Sequence, residues 1–309
     1  MTWDPKHLPS AAGRIVVVTG GNAGIGYFTS EQLASAGARV ILASRSQQKA
    51  ERAIASIREH VPGAELDFVR LDLSSLASIA DAAEQLRGMG VIDVLVENAG
   101  LTTPSARRQT TDDGLELVVG SNAFGHFALT AHLWPSLSPT ARVVGLGSMS
   151  TRMTKLDPDD LLSDRRYSPF RAYAFSKHVV HGFIFELDRR IRAAAPGSTS
   201  ASREALLAHP GFSADGISER RPGINDVSPL IRVRDAVLSI AGQGKDQGAW
   251  PTVRAALDPD AVSGQFYGPS RTLTGTPIVM APVVSSATPE FGAHLWALAE
   301  EQTGVTFAV

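Results

Sequence analysis

The chain has 309 residues, with 29 Lys and Arg against 31 Asp and Glu for a formal net charge of −2 at pH 7. That length can bury a sizeable core, and the balanced charge leaves no electrostatic footprint for nucleic acid or an anionic membrane. The absence of cysteine excludes disulfides, thiolate zinc sites and a cysteine nucleophile. No segment reads as a secretory leader or as a membrane span, so the expectation is a cytoplasmic protein without membrane insertion that acts on a small molecule.

In chain order, Ile15–Val18, Val40–Leu42, Leu66–Leu71, Val91–Val96 and Val143–Leu146 are short, β-rich apolar runs without alternation. Strands buried on both faces read this way. Between them Tyr27–Ala36, Gln47–His60, Leu76–Arg87 and Gly114–Leu133 carry apolar residues at helical spacing. Repeated βα units predict an α/β fold, a Rossmann-type doubly wound parallel sheet, with ligands beyond the carboxyl ends of its strands. A helix then carries Tyr173 and Lys177, Ala193–Ser202 reads as a surface loop, and a short strand Ala205–Ala208 leads into His209-Pro210-Gly211-Phe212. Residues 213–229, rich in Ser, Gly, Pro and Arg, read as a mobile substrate lid. Helical patterns follow at Leu230–Ala241, Trp250–Leu257 and Pro289–Thr303. The organisation is therefore a single domain over 1–309, with 230–309 as a helical or irregular C-terminal extension.

The first βα junction reads Thr19-Gly20-Gly21-Asn22-Ala23-Gly24-Ile25-Gly26. Glycines there let the backbone turn tightly, approach a pyrophosphate and open a helix whose amides face the phosphates. The second strand ends in Ser44-Arg45, where an NAD-preferring site has a carboxylate for the adenosine 2′-hydroxyl. Ser44 removes the repulsion that a 2′-phosphate would meet, and charge-assisted bonds from Arg45 are worth ~1.5–3 kcal/mol, so NADP(H) is expected in preference to NAD(H). Asp72, followed by Leu73, can accept an adenine amino group or cap the helix that begins nearby. After the fourth strand, the small residues of Asn98-Ala99-Gly100 let a ribose or nicotinamide lie against the backbone, or simply make a turn.

Tyr173 and Lys177 lie one helical turn apart, and Ser148 precedes them at a strand end. A phenol acting as a base near neutral pH needs its pKa lowered by roughly 3 units, and one cation about 4 Å away at an effective dielectric near 20 supplies about the required ~4 kcal/mol. Alone, the pair is equally a packed ring beside a solvated amine; a cofactor site upstream gives it chemical meaning. His178 and His181 have no third ligand nearby, so packing rather than a metal is expected.

Together these motifs resemble the short-chain dehydrogenase/reductase family from about Gly13 to Phe212, in wording close to its bacterial retinol-dehydrogenase-like and protochlorophyllide-reductase-like branch. The resemblance implies that Gly20, Asn22, Ala23, Gly24, Ile25, Gly26, Ser44, Arg45, Asp72, Leu73, Asn98, Ala99, Gly100, Tyr173, Lys177, Pro210, Gly211 and Phe212 contact the dinucleotide. It also implies Asn122, Ser148, Tyr173 and Lys177 as the catalytic four. In that scheme Tyr173 protonates the substrate oxygen, Lys177 stabilises the tyrosinate and binds the nicotinamide ribose, and Ser148 polarises the carbonyl. Asn122 bends its helix and orders a water.

The implied activity is reduction of a ketone or aldehyde, or oxidation of the matching alcohol. Light-driven reduction is discounted because its cysteine proton donor is missing. An NADP(H)-binding redox sensor without turnover, or an epimerase or dehydratase on the same scaffold, are the alternatives. Walls formed by Leu101–Arg108, Thr151–Phe170 and Ser213–Pro229 mix apolar residues with arginines, which suits a mainly apolar and even polycyclic substrate. Family members often pair through helices corresponding to Gly114–Leu133 and Ala172–Arg192, so a homo-oligomer is in keeping with the resemblance.

Three departures stand out. Glu97 replaces the usual first asparagine and Gly147 a serine, whose loss is expected to widen or loosen the pocket floor. Asp215 stands near a position where a threonine often meets the nicotinamide carboxamide.

Overall fold

The computed structural model describes residues 3–194, 202–238 and 242–309. The apolar runs form β1 (Ile15–Thr19), β2 (Arg39–Ser44), β3 (Leu66–Arg70), β4 (Ile92–Glu97), β5 (Leu137–Leu146) and β6 (Glu204–Ala208). All six pair in parallel, in the order β3-β2-β1-β4-β5-β6. Val17 of β1 faces one core while Val16 and Val18 face the other, and this two-sided burial is why the run is apolar throughout. The strand order reverses between β1 and β4, so a crevice forms where the loops leaving these two strands separate.

Helices α1 (Gly24–Ser35), α2 (Gln47–His60), α3 (Leu76–Arg87), α4 (Leu117–Val119), α5 (Gly125–Leu133) and α6 (Pro169–Ala194) are spaced along the same stretch of chain. Tyr27, Phe28, Leu33, Ala53 and Ile57 of α1 and α2 cover one face of the sheet. Ile79, Leu86, Phe127, Leu129, Phe183 and Ile184 of α3, α5 and α6 cover the other. Periodicity placed α2 and α3 to the residue, because a serine caps each of them: Ser46 accepts from Lys49 N–H and Ser75 from Ser78 N–H. The expected helix Gly114–Leu133 is instead α4 and α5 joined by a π-helical turn, Gly120–Phe124.

Beyond β6 come β7 (Ser213–Ala214), α7 (Pro229–Leu238), β8 (Gln243–Gly244), α8 (Lys245–Gly248) and α9 (Trp250–Leu257). Then follow β9 (Phe266–Pro269), β10 (Pro277–Met280), α10 (Val284–Ala287) and α11 (Pro289–Thr303). Here the expectation of a helical or irregular extension needs correcting: β9 joins β6 in parallel and β10 adds antiparallel at the edge, making the sheet eight-stranded. Four-residue strands containing Gly268, Pro269 and Pro277 lack the long β-branched run that marks a strand in sequence. The segment read as a lid is anchored by β7 pairing with β8. The expected loop Ala193–Ser202 falls mostly outside the described residues, as do the last three of Leu230–Ala241. No helix among the described residues is long and apolar enough to cross a membrane.

Candidate active site

Ser168 opens α6, accepting Arg171 N–H on its hydroxyl and Ala172 N–H on its carbonyl, with Pro169 in the first turn where its missing N–H costs nothing. The helix carries Tyr173 and Lys177 past the C-terminal end of β5. There the Lys177 ammonium donates to the Leu146 carbonyl at 2.6 Å and lies 5.9 Å from the centre of the Tyr173 ring. Ser148, two residues after β5, accepts Ser150 N–H and so caps the turn Met149–Arg152. Local capping and placement beside Tyr173 are thus met by the same hydroxyl.

Burial raises the Tyr173 phenol above its usual range, and the opposing effect comes from the Ser148 hydroxyl rather than from the lysine charge. The tyrosinate base suggested by spacing alone is therefore not the state this environment favours; the phenol stays protonated. Asn122 lies in the π turn, a common feature of functional sites. Its Oδ1 accepts Leu101 N–H at 2.7 Å, and its Nδ2 donates to Leu101 O and to Ser176 Oγ. Its backbone carbonyl lies 2.9 Å from His126 Nδ1.

Glu97 ends β4 on the face shared by Leu95, α5 and α6, in register with Gly145 of β5, where the Ile184 side chain of α6 fills the space that a Cβ would occupy. Only 2 % exposed, it accepts the Thr130 hydroxyl at 2.6 Å on Oε1, while Oε2 has no partner among the described residues. Burial pushes its carboxyl up to about 7, opposed by Thr130 and by the charge of Lys177. Burial likewise pulls Lys177 down to about 8, with Glu97 resisting. Each charge offsets only part of the burial cost of the other. His126, wholly buried, is pulled down to about 4 by burial and is neutral at pH 7.

Gly147 is not the opening that the sequence suggests. A Cβ there would lie 2.4 Å from His181 Nε2, so the imidazole fills the space that a serine would occupy. His181 Nε2 also accepts Ser148 N–H at 3.4 Å. Burial holds His181 far below its ordinary value, keeping it a neutral acceptor. His178 hydrogen-bonds Ser286 Oγ and Thr154 O, and the described residues include no group of three or more His, Asp or Glu placed to hold a metal ion. His209 Nδ1 accepts Gly211 N–H, fixing the Pro210–Gly211 turn. Gly211 has φ 67°, and a Cβ there would strike the Leu273 carbonyl at 2.2 Å.

The β1–α1 loop fits a dinucleotide. Gly20 and Gly24 have φ of 66° and 59°, and a Cβ on Gly26 would lie 2.3 Å from Gly20 O. The helix α1 begins with neither a side-chain cap nor an acidic residue, leaving its first amides and positive end to be met by an anion. Asn98 Nδ2 donates to Thr19 O, and Ala99 N–H to Thr19 Oγ1, which locks the end of β4 to the glycine loop across the crevice. At the end of β2 the Ser44 hydroxyl is buried without a partner among the described residues, and Arg45 is exposed beside it. An unpaired buried hydroxyl calls for an acceptor, and a phosphate oxygen supplies one. Asp72 Oδ1 takes both the N–H and the hydroxyl of Ser74 in a turn ahead of α3, whose cap is Ser75 and not Asp72. Leu73 is buried against the α3 and α5 core, which makes it a packing residue. Gly100 abuts the Asn122 amide, and Phe212 is 46 % exposed at the mouth of the site.

Two of the expected substrate walls meet. The Tyr167 hydroxyl donates to Ser105 O, Arg108 donates to Leu162 O and pairs with Asp164, and a cavity of about 130 Å³ lies among Leu101, Pro104, Val118 and Tyr167. Asp215 of the third wall pairs with Lys245 of α8 at 2.6 Å, a partner that no local sequence signal reveals. Glu97, His126 and His181 also escape sequence reasoning as a group, since each is set by packing between distant strands and helices.

Residues 14–199 match the family described as short chain dehydrogenase. The chain is 34 % identical to mouse polyprenol dehydrogenase over 272 residues, covering 85 % of this chain and 77 % of that protein. It is 30 % identical to human retinol dehydrogenase 13 over 299 residues, covering 95 % and 85 %. A solved structure of an uncharacterized protein from Mycobacterium Paratuberculosis superposes with a TM-score of 0.80 at 33 % identity over 100 % of both chains. A short chain dehydrogenase from Burkholderia cenocepacia in complex with NADP shares the fold, with a TM-score of 0.61 at 19 % identity over 83 % of this chain and 96 % of that one.

Proposed function

The chain belongs to the short-chain dehydrogenase family, on its retinol-dehydrogenase-like branch, and is an oxidoreductase; from that premise we propose that it interconverts a mainly apolar ketone or aldehyde and its alcohol using NADP(H). The observation that carries this reading is the convergence of Ser148, Tyr173 and Lys177 past the end of β5, across the crevice from a glycine loop shaped for a diphosphate. Bound there, the cofactor supplies a hydride from its nicotinamide C4.

The protein's own residues do the rest. Ser148 Oγ holds the substrate oxygen and polarises the carbonyl. Tyr173, kept protonated by burial, donates its phenolic proton to that oxygen as negative charge develops. The Lys177 ammonium, fixed on Leu146 O, stabilises the tyrosinate left behind and bonds the ribose hydroxyls. Asn122 holds the loop after β4 in place through Leu101. In the oxidative direction the same groups run in reverse, with Tyr173 accepting the proton.

Preference for NADP(H) follows from the unpartnered Ser44 hydroxyl and the exposed Arg45, with no carboxylate at the end of β2. An apolar substrate suits exposed Met153 and Phe170 on the predicted walls and exposed Phe212 just before the third wall, and retinol and polyprenol, for which relatives are named, are themselves apolar alcohols. The test is turnover of NADPH and NADH against a panel of apolar aldehydes and ketones. Tight NADPH binding with no consumption across the panel would overturn the proposal.

A further inference from the structure

Lys245 opens the four-residue α8, more than two hundred residues along the chain from the glycine loop, yet its ammonium stands directly over that loop. A Cβ placed on Gly24 would lie 3.5 Å from Lys245 Nζ and would meet nothing else within 4 Å but the same side chain. The position is held from both sides. Gln32 of α1 donates through Nε2 to Asp246 O at 2.8 Å, tying α8 to the helix that the loop opens. Lys245 N–H donates to Ser218 Oγ at 2.7 Å, tying the same residue to the segment after β7.

The charge arrangement at this point asks for an anion. Helix α1 presents its positive end with no cap and no acidic side chain, and an ammonium beside a helix N-terminus is repelled by it. Among the described residues the one anion bonded to Lys245 is Asp215, at 2.6 Å, in a pair that is only about one quarter to one third exposed. Asp215 stands near where the family resemblance has a neutral threonine.

We propose that Lys245 is a diphosphate-binding residue for the dinucleotide, and that Asp215 is the carboxylate that holds it over the glycine loop and competes with the diphosphate for it. This rests on the nicotinamide-dinucleotide reading above and deepens it. The lysine passes from a carboxylate to a diphosphate, so cofactor binding exchanges one ion pair for another and loosens Asp215, with the segment after β7, from α8. Binding at the glycine loop is thereby coupled to the wall that covers the substrate.

The experiment is equilibrium binding of NADPH, NADH and ADP-ribose to the whole chain, read by fluorescence of the reduced cofactors and by calorimetry, with unfolding midpoints confirming that each variant folds. Lys245→Gln is expected to weaken all three ligands by a similar factor, roughly 10- to 100-fold, because all carry the diphosphate. Lys245→Arg is expected to recover most of the loss. Asp215→Asn is expected to tighten binding severalfold by removing the competitor, with no such gain when Lys245→Gln is also present. An unchanged affinity in Lys245→Gln, or a loss confined to NADPH, which would place the lysine on the 2′-phosphate, overturns the proposal. Weaker binding in Asp215→Asn refutes the competition. Failure of the unaltered protein to bind any of the three would instead refute the dinucleotide reading itself.

Discussion

Glu97→Gln probes the most unusual electrostatic feature of the site, a carboxyl and an ammonium both buried between one sheet face and two helices. Moving Glu97 from an ordinary 4.5 to about 7 means that ionising it in the folded protein costs about 3 kcal/mol of stability. The cost is absent below pH 4.5 and is incurred in full once the pH rises through 7, because the folded state keeps a proton that the unfolded state has released. Lys177, lowered from 10.5 to about 8, works in the opposite range: its cost is present below 8 and disappears as the pH climbs to 10.5. The pair therefore gives the protein a stability minimum between pH 7 and 8.

Replacing Glu97 removes the first of these costs. The difference in unfolding free energy between Glu97→Gln and the unaltered protein should shift in favour of the variant by roughly 2–3 kcal/mol from pH 5 to pH 8. The buried amide in place of the unpartnered Oε2 adds only a constant offset, so the slope is the readout. His126 and His209, both lowered to about 4 by burial, are common to the two proteins and cancel in the difference. The assay is denaturant unfolding without cofactor at several pH values across that range. A difference that stays flat with pH would refute the argument, because it would mean that Glu97 ionises as freely as a surface carboxyl. The same exchange removes the charge that supports Lys177, so the alkaline limit of activity should move to lower pH.

Tyr173→Phe should lower turnover by about 10²–10⁴-fold through loss of the proton donor. NADPH binding measured by fluorescence should stay within about threefold, and comparable loss of binding would make the ring a cofactor platform instead. Ser44→Asp should reverse the cofactor preference, weakening NADPH by roughly ten- to hundredfold while leaving NADH similar or better, in paired dissociation constants. Equal effects on both cofactors would remove Ser44 from the 2′-phosphate site. Gly147→Ser should destabilise the fold by about 1–3 kcal/mol in thermal or denaturant unfolding, since the new Cβ meets His181 at 2.4 Å. Combining it with His181→Ala should relieve much of that loss; additive destabilisation would show that the two side chains do not share one space.

How much of this protein its sequence determines is visible element by element. The β1 to β6 runs and the α2 and α3 spans are written in local periodicity and caps, because a strand buried on both faces and a helix buried on one leave different spacings of apolar residues. The glycine loop is legible for the same reason, as backbone at positive φ next to a helix start demands glycine wherever it occurs. The i, i+4 spacing of Tyr173 and Lys177 places both on one face of α6 before any fold is known. Tertiary structure decided what those groups experience. Burial, not sequence spacing, keeps the Tyr173 phenol protonated, and a strand and a helix 80 residues apart bring Glu97 and Lys177 to one sheet face. The imidazole of His181 occupies what Gly147 leaves open, β9 and β10 complete the sheet from the tail, and Lys245 reaches Gly24 from α8. Local pattern records only the burial and turn geometry of nearby residues, whereas these contacts join segments whose proximity exists only once the sheet has formed.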